Sequence, residues 1–216
     1  MQNDTPLVLA SASPRRRELI TLFGLEFQLI AADVDESPRD GESPIDLVHR
    51  LSRAKAELGT RDHPGAIVVA ADTDVSLDGA ILGKPRDAAD ATRMLGRLRG
   101  RAHTVYSGVT IAQGARRITQ VAQTIVWMRD YADAEIAAYV ATGDPLDKAA
   151  AYAIQNGAFR PVARIDGCHA NVMGLPLCHV YRALKAFGVA LDEPDRACQE
   201  HLQIRCPVAR GILSEQ

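Results

Sequence analysis

The stretch Leu7 to Arg17, LVLASASPRRR, reads as a strand, a tight loop and a helix start, and the rest of the chain is arranged around it. Leu7, Val8 and Leu9 are apolar and β-prone. Ser13 then offers a side-chain cap to a helix that begins at Pro14, where a missing N–H costs nothing. The loop delivers backbone N–H groups, the hydroxyls of Ser11 and Ser13 and the guanidiniums of Arg15, Arg16 and Arg17 to one helix N-terminus. Three cations there oppose the helix dipole unless an anion offsets them, so a phosphate is the natural guest. The stretch is neither a P-loop nor a GxGxxG turn, and the case for an anion site depends on the other segments.

Working outward, the next strand is read at Glu26 to Ala31, followed by the acidic loop Asp33 to Pro38. Ser43-Pro44 repeats the capped helix start, with Leu47, Val48, Leu51, Ala54 and Leu58 on one face. Arg53 and Lys55 lie near that face, either solvated or reaching back toward the acidic loop. Ala66 to Ala71, AIVVAA, is a continuous apolar run of strand length, which predicts a central strand covered on both faces and ending at Asp72-Thr73-Asp74. Asp78-Gly79 marks a hairpin that hands over Gly83-Lys84-Pro85, and Asp87 caps the helix bearing Ala91, Met94, Leu95 and Leu98. Further strands are read at His103 to Ala112, Thr119 to Met128 and Phe159 to Ile165, and further helices at Asp133 to Thr142 and Pro176 to Phe187. The sum is an α/β protein with a mixed twisted sheet and flanking helices. Residues 1–188 form the folded domain, and residues 189–216, without clear period, read as an extension or partly ordered tail.

Composition bounds the partners. The 216 residues are 47% hydrophobic and 24% charged with a net charge of -2, which argues against a general nucleic-acid or membrane-surface binder and confines any anion site to one place. No stretch approaches the ~20 apolar residues of a membrane span. Cys168, Cys178, Cys198 and Cys206 match no zinc spacing and read as structural thiols in a reducing cytoplasm. His103 and His169 have no His or Cys partner at metal-binding spacing and read as structural.

Polar groups at strand ends face the crevice where α/β sheets bind ligands. Asp72 follows the most apolar strand, and a partly desolvated carboxylate there suits a general base that takes a proton from water. Asp35, Glu36, Asp72 and Asp74 offer hard oxygen ligands, while Ser11, Ser13, Arg15, Arg16, Lys55 and Lys84 offer anion-binding groups. A triphosphate with a divalent cation needs both sets. The amide of Gln155 presents a donor and an acceptor side by side, which complements the edge of uracil or thymine.

Five segments carry a resemblance: LASASPRRREL (residues 9–19), AADTDVSLDGAILGKPRDAADATRML (70–95), LRGRAHTVYSGV (98–109), EIAAYVATGDPLDKAAAYAIQ (135–155) and NVMGLPL (171–177). In this order they resemble the Maf family of nucleoside triphosphate pyrophosphatases, also called septum formation inhibitor proteins. The resemblance implies a fold of the Maf and inosine triphosphate pyrophosphatase type, with two lobes around a central cleft. It also implies hydrolysis of a nucleoside triphosphate to the monophosphate and pyrophosphate with a divalent metal, Mg or Mn.

By the family's motif Asp72 is the base that activates water. Ser11, Ser13, Arg15, Arg16 and Lys84 hold the triphosphate, Glu36 assists metal or water, and Arg15, Thr73 and Gln155 match positions of substrate choice. The pairing of Asp72-Thr73 with Asp147-Lys148 and Gln155 is similar to the dTTP/UTP branch rather than the 7-methyl-GTP branch. The alternatives are 7-methyl-GTP, and a nucleotide-binding regulator of cell division that turns nothing over. The resemblance favours a homodimer, a house-cleaning role on modified nucleotides is a further reading, and the departures from the family pattern leave CTP or a modified pyrimidine open as the preferred nucleotide. Departures are Ala150 and Ala153 where the family has glycines, Asp74 where it has an apolar residue, and Cys168-His169 for a small-aromatic pair.

Overall fold

Eleven residues, all buried except the half-buried Thr73, make the central strand. In the computed structural model, which describes residues 5–215, Ile67 to Ala71 are buried on both faces, and the strand then continues through Asp72, Thr73 and Asp74 to Leu77. This corrects the expectation of a strand ending at Ala71. The backbone of Asp72, Thr73 and Asp74 stays in the ladder, opposite Gly108, Ser107 and Tyr106, so their polar side chains do not interrupt the pairing.

In chain order the strands are β1 (Leu7–Ala10), β2 (Gln28–Ile30), β3 (Ile67–Leu77), β4 (Ala80–Ile81), β5 (Ala102–Gln113), β6 (Arg116–Met128) and β7 (Val162–Asp166). The helices are α1 (Pro14–Ile20), α2 (Pro44–Asp62), α3 (Ala88–Leu98), α4 (Asp133–Ala141), α5 (His169–Val172), α6 (Leu177–Ala186), α7 (Asp195–Leu202) and α8 (Ala209–Ser214). The sheet runs β2-β1-β3-β5-β6-β7, with β4 on β3. β1 is parallel to both neighbours and the remaining pairs are antiparallel, which makes the sheet mixed. Asp78 and Gly79 both have positive φ, 54° and 82°, as a two-residue hairpin turn of primed type requires.

Of three apolar cores among the described residues, one around Val8, Ala56 and Val68 lies under α2, and the other two sit at opposite ends of the long strands. One gathers β1, α1, α6 and the first half of β3, around Leu9, Val69 and Leu184. The other gathers α3, α4 and the second half of β3, around Leu77, Leu95 and Tyr131. Asp72-Thr73-Asp74 lies on β3 between them, and the cleft opens there. These are the two lobes.

α2 lies so close to the sheet that a Cβ on Gly108 would collide with the carbonyl of Val48, and one on Gly59 would sit 2.7 Å from Val68 Cγ1. Small residues at both contacts let the helix carry Lys55 down to β3. The C-terminal extension carries α7 and α8, and Val189 and Cys198 are buried in the core shared with α1 and α6. All four cysteines are free thiols. Among the described residues no helix is long and apolar enough to cross a membrane.

Candidate active site

A strand places successive side chains on opposite faces, so Asp72 and Asp74 share one face of β3 and Thr73 takes the other. A cleft of about 800 Å³ wraps this point of the strand, a volume that suits a small-molecule ligand. Ser11, Ser13, Arg15, Arg16, Glu36, Lys55, Asp72, Thr73, Asp74, Lys84 and Gln155 all line it, so the structure brings these residues to one place. Two cations from the wider reading fall elsewhere. Arg17 is exposed on α1, and Arg53 lines a separate shallow hollow between α2 and β5. Asp35 also stays out of the cleft, where its Oδ1 accepts the N–H of Ser37 at 3.0 Å.

Lys55 is the centre of the charged wall. Its Nζ donates to Asp72 Oδ1 at 2.6 Å and to Glu36 Oε1 at 2.5 Å, and it is only 6% exposed. A buried ammonium needs such pairing, because desolvation otherwise expels the charge. Glu36 Oε2 lies 3.8 Å from Lys84 Nζ, which links the acidic loop to the Gly83-Lys84-Pro85 turn. Partial burial pushes the Glu36 carboxyl up, but the hydrogen bond and charge of Lys55, with Lys84 and Arg16, outweigh it and hold Glu36 below the usual carboxylate range. Asp74 goes the other way. Burial, reinforced by the nearby charges of Asp72 and Glu36, pushes it up to about 6 against the hydrogen bonds it accepts from Val75 N and Gly83 N.

The neighbouring arginines behave differently. Arg16 spends its guanidinium on the protein: Nε on the Gly174 carbonyl at 2.8 Å, Nη1 on the Ala71 carbonyl at 2.8 Å and Nη2 on Thr73 Oγ1 at 2.9 Å. It fastens α1 to β3 and to the turn after α5. Arg15 makes one long ion pair, 3.7 Å to Asp147 across the cleft, and keeps most of its donors. Ser13 caps α1 by accepting the N–H of Arg16 at 3.5 Å, and Ser11 accepts the N–H of Ser13 at 3.2 Å.

The opposite wall runs from Asp147 to Gln155. Lys148 is buried and donates to Asp144 and Asp147, which fixes the turn. Ala150 and Ala151 both adopt positive φ, 57° and 62°, and the N–H of Ala150 donates to the Gly83 carbonyl at 2.7 Å. Of the two alanines at positions that the resemblance gives as glycine, Ala150 keeps the left-handed conformation, at a cost of roughly 1–2 kcal/mol, and Ala153 does not adopt it. Tyr152 lines the cleft with its hydroxyl 2.7 Å from His103 Nε2. Burial pulls His103 down to about 4, so the imidazole is neutral at physiological pH, in keeping with a structural histidine. Gln155 is exposed at the rim, and its amide has no hydrogen-bond partner among the described residues.

A family model described as Maf-like protein matches residues 6–187. The chain belongs to the Maf family. Curated Maf relatives named dTTP/UTP pyrophosphatase include that of Geotalea uraniireducens, 49% identical over 190 residues, covering 87% of this chain and 98% of the relative. That of Myxococcus xanthus is 48% identical over 189 residues, covering 88% and 96%. That of Chromobacterium violaceum is 44% identical over 194 residues, covering 88% and 98%. Among solved structures the Staphylococcus aureus Ham1 protein aligns over 58% of this Maf chain and 73% of its own at 15% identity, with a TM-score of 0.44. That likeness is too loose to bear on the fold.

Sequence reasoning missed Arg50 and Glu42, which fasten the loop carrying Glu36 to α2. The two lie eight positions apart across a helix cap, a separation that helical periodicity does not flag. Asp74, singled out from the sequence as an oxygen donor, is a charged residue inside a largely buried strand, which is expensive unless it serves the cleft.

Proposed function

We propose that this Maf-family chain hydrolyses dTTP and UTP to the nucleoside monophosphate and pyrophosphate in the cleft at Asp72. The observation that carries the reading is the meeting, around one hollow, of the Asp72–Lys55–Glu36 triad with Arg15 and Lys84. Asp72, buried but lining the cleft, accepts a proton from water. The oxygen attacks the α-phosphorus, the bond from that phosphorus to the bridging oxygen breaks, and pyrophosphate leaves with the electron pair. Lys84 and Arg15 stabilise the charge that grows on it, the effect that is usually largest in such sites. Ser11, Ser13 and the N-terminus of α1 hold phosphoryl oxygens, and Arg16 keeps that loop and Thr73 in place.

A divalent cation fits the donor set. Among the described residues no three His, Cys, Asp or Glu side chains are grouped to hold one alone. Asp72 and Glu36 supply two carboxylates, and Mg²⁺ characteristically takes one or two carboxylates and completes its shell with phosphate oxygens and water. Such an ion, Mg²⁺ or Mn²⁺, would neutralise charge on the triphosphate. The exposed amide of Gln155 reads the uracil or thymine edge, with Tyr152 as the rigid wall beside it. We place this activity in the cytoplasm, where nucleoside triphosphates are abundant.

The test is pyrophosphate release by the purified chain across canonical and methylated nucleoside triphosphates, with and without Mg²⁺ or Mn²⁺. The reading expects dTTP and UTP to be the best substrates. Tight nucleotide binding without pyrophosphate release would reverse it in favour of a regulator.

A further inference from the structure

Residues 31–43 join β2 to α2 with no strand or helix of their own, yet they carry Glu36. Fixing such a loop costs conformational entropy that specific contacts must offset. Inside the loop the contacts are local: Asp35 Oδ1 accepts the N–H of Ser37 at 3.0 Å, and the carbonyl of Arg39 accepts the N–H of Glu42 at 3.0 Å. Glu36 itself rests on Lys55, but Lys55 is shared with Asp72. A polyphosphate entering the cleft competes for that ammonium, so the hold on Glu36 weakens at the moment Glu36 is needed.

A second hold comes from α2, five residues before Lys55. Arg50 grips Glu42 with both arms of its fork, Nε to Oε1 at 2.6 Å and Nη2 to Oε2 at 2.7 Å. The same Nη2 donates to the carbonyl of Ser37, the residue after Glu36, at 3.0 Å. Glu42 Oε2 accepts in addition the N–H of Arg39 at 3.0 Å. The side chains are 21% and 8% exposed, so the pair is shielded from screening, unlike a surface ion pair. The hydrogen bonds from Arg50 hold the Glu42 carboxyl down at about 2 despite its desolvation, and the pair stays ionised at any working pH. None of these bonds involves a group that the triphosphate would contact.

We propose that Arg50 and Glu42 are positioning residues that keep Glu36 beside Asp72 once Lys55 turns to the substrate. The proposal rests on the hydrolysis proposed above and adds that the acidic loop is anchored independently of the cleft's own charges.

The test uses the full chain with Arg50→Ala, Arg50→Lys and Glu42→Gln, each alone and combined with Glu36→Gln. Two readouts are taken, steady-state kinetics on dTTP and the rate of tryptic cleavage after Arg39 without nucleotide. Arg50→Ala is expected to lower kcat roughly tenfold while KM changes less than about threefold, the pattern of a misplaced group rather than lost binding. In the Glu36→Gln background it should cost nothing more, because the residue it acts through is already gone. Cleavage at Arg39 should speed up several-fold. Arg50→Lys should fall between, since it keeps the charge and loses the fork. Arg61→Ala, an exposed position on the same helix, should change neither readout.

Equal losses in the wild-type and Glu36→Gln backgrounds, or unchanged cleavage at Arg39, would overturn the proposal. Should Arg50→Ala fail to fold, Glu42→Gln, which keeps the side-chain shape, decides by the same two readouts. Absence of pyrophosphate release from the wild-type chain would count against the hydrolytic reading, while the Arg39 cleavage rates would still decide whether the anchor exists.

Discussion

On one wall of the cleft the buried Lys55 and Asp72 form an ion pair, and the half-exposed Glu36 shares the same ammonium. On the other, residues 149–153 present alanines and the Tyr152 ring, with two consecutive alanines in the left-handed region. The first wall pairs its charges, and on the proposed mechanism those pairs are what a polyphosphate rearranges. The second wall pairs its own charges, Asp147 with Lys148, and from Ala149 onward holds its shape through backbone geometry. On the proposed assignment, chemistry and base choice are supported by different physics, and substitutions on the two walls should fail in different ways.

The largest effect is expected on the charged wall. Asp72→Asn removes the proton acceptor while leaving the phosphate contacts, and kcat should fall by roughly two orders of magnitude or more with little change in nucleotide affinity. Kinetics beside a binding titration check this, and a parallel loss of affinity would break the division between the walls. Next is Asp74, whose folded-state value of about 6 lies above the ordinary 3.8. A carboxyl raised by folding stabilises the native state at low pH and loses that contribution as pH rises through the folded value. Wild type should therefore lose up to about 3 kcal/mol relative to Asp74→Asn between pH 4 and 7, as urea unfolding at the two pH values would show.

Smaller effects belong to the other wall. Gln155→Ala should cost about tenfold in kcat/KM for dTTP and UTP, carried mainly by KM, and should flatten the preference between bases. Ala150→Gly should raise stability by about 1 kcal/mol, because glycine takes the same backbone conformation without strain, offset by its greater freedom in the unfolded chain. Thermal unfolding checks it, and a destabilised variant would show that the alanine methyl does more by packing than it costs by strain.

Much of this was legible in the residues themselves. Ser13-Pro14 and Ser43-Pro44 announce two capped helix starts, and Asp87 accepts the N–H of Asp90 at 2.7 Å as its spacing suggests. β3 was harder. Two carboxylates read as the end of an apolar strand, because a sequence does not show that β5 is long enough to pair with the backbone beneath them. The reach of Lys55 was legible only as a direction, since its burial depends on how closely α2 approaches the sheet, and that is set by Gly59 and Gly108. α7 and α8 are short and bury few side chains each, so no period announces them.

Hydrolysis of dTTP in water enriched in heavy oxygen tests the central claim most directly. Attack at the α-phosphorus by water activated at Asp72 places the label in the thymidine monophosphate and leaves the pyrophosphate unlabelled. Label in the pyrophosphate would mean that water attacks the β-phosphorus, and would contradict the arrangement of Asp72, Lys84 and Arg15 put forward here.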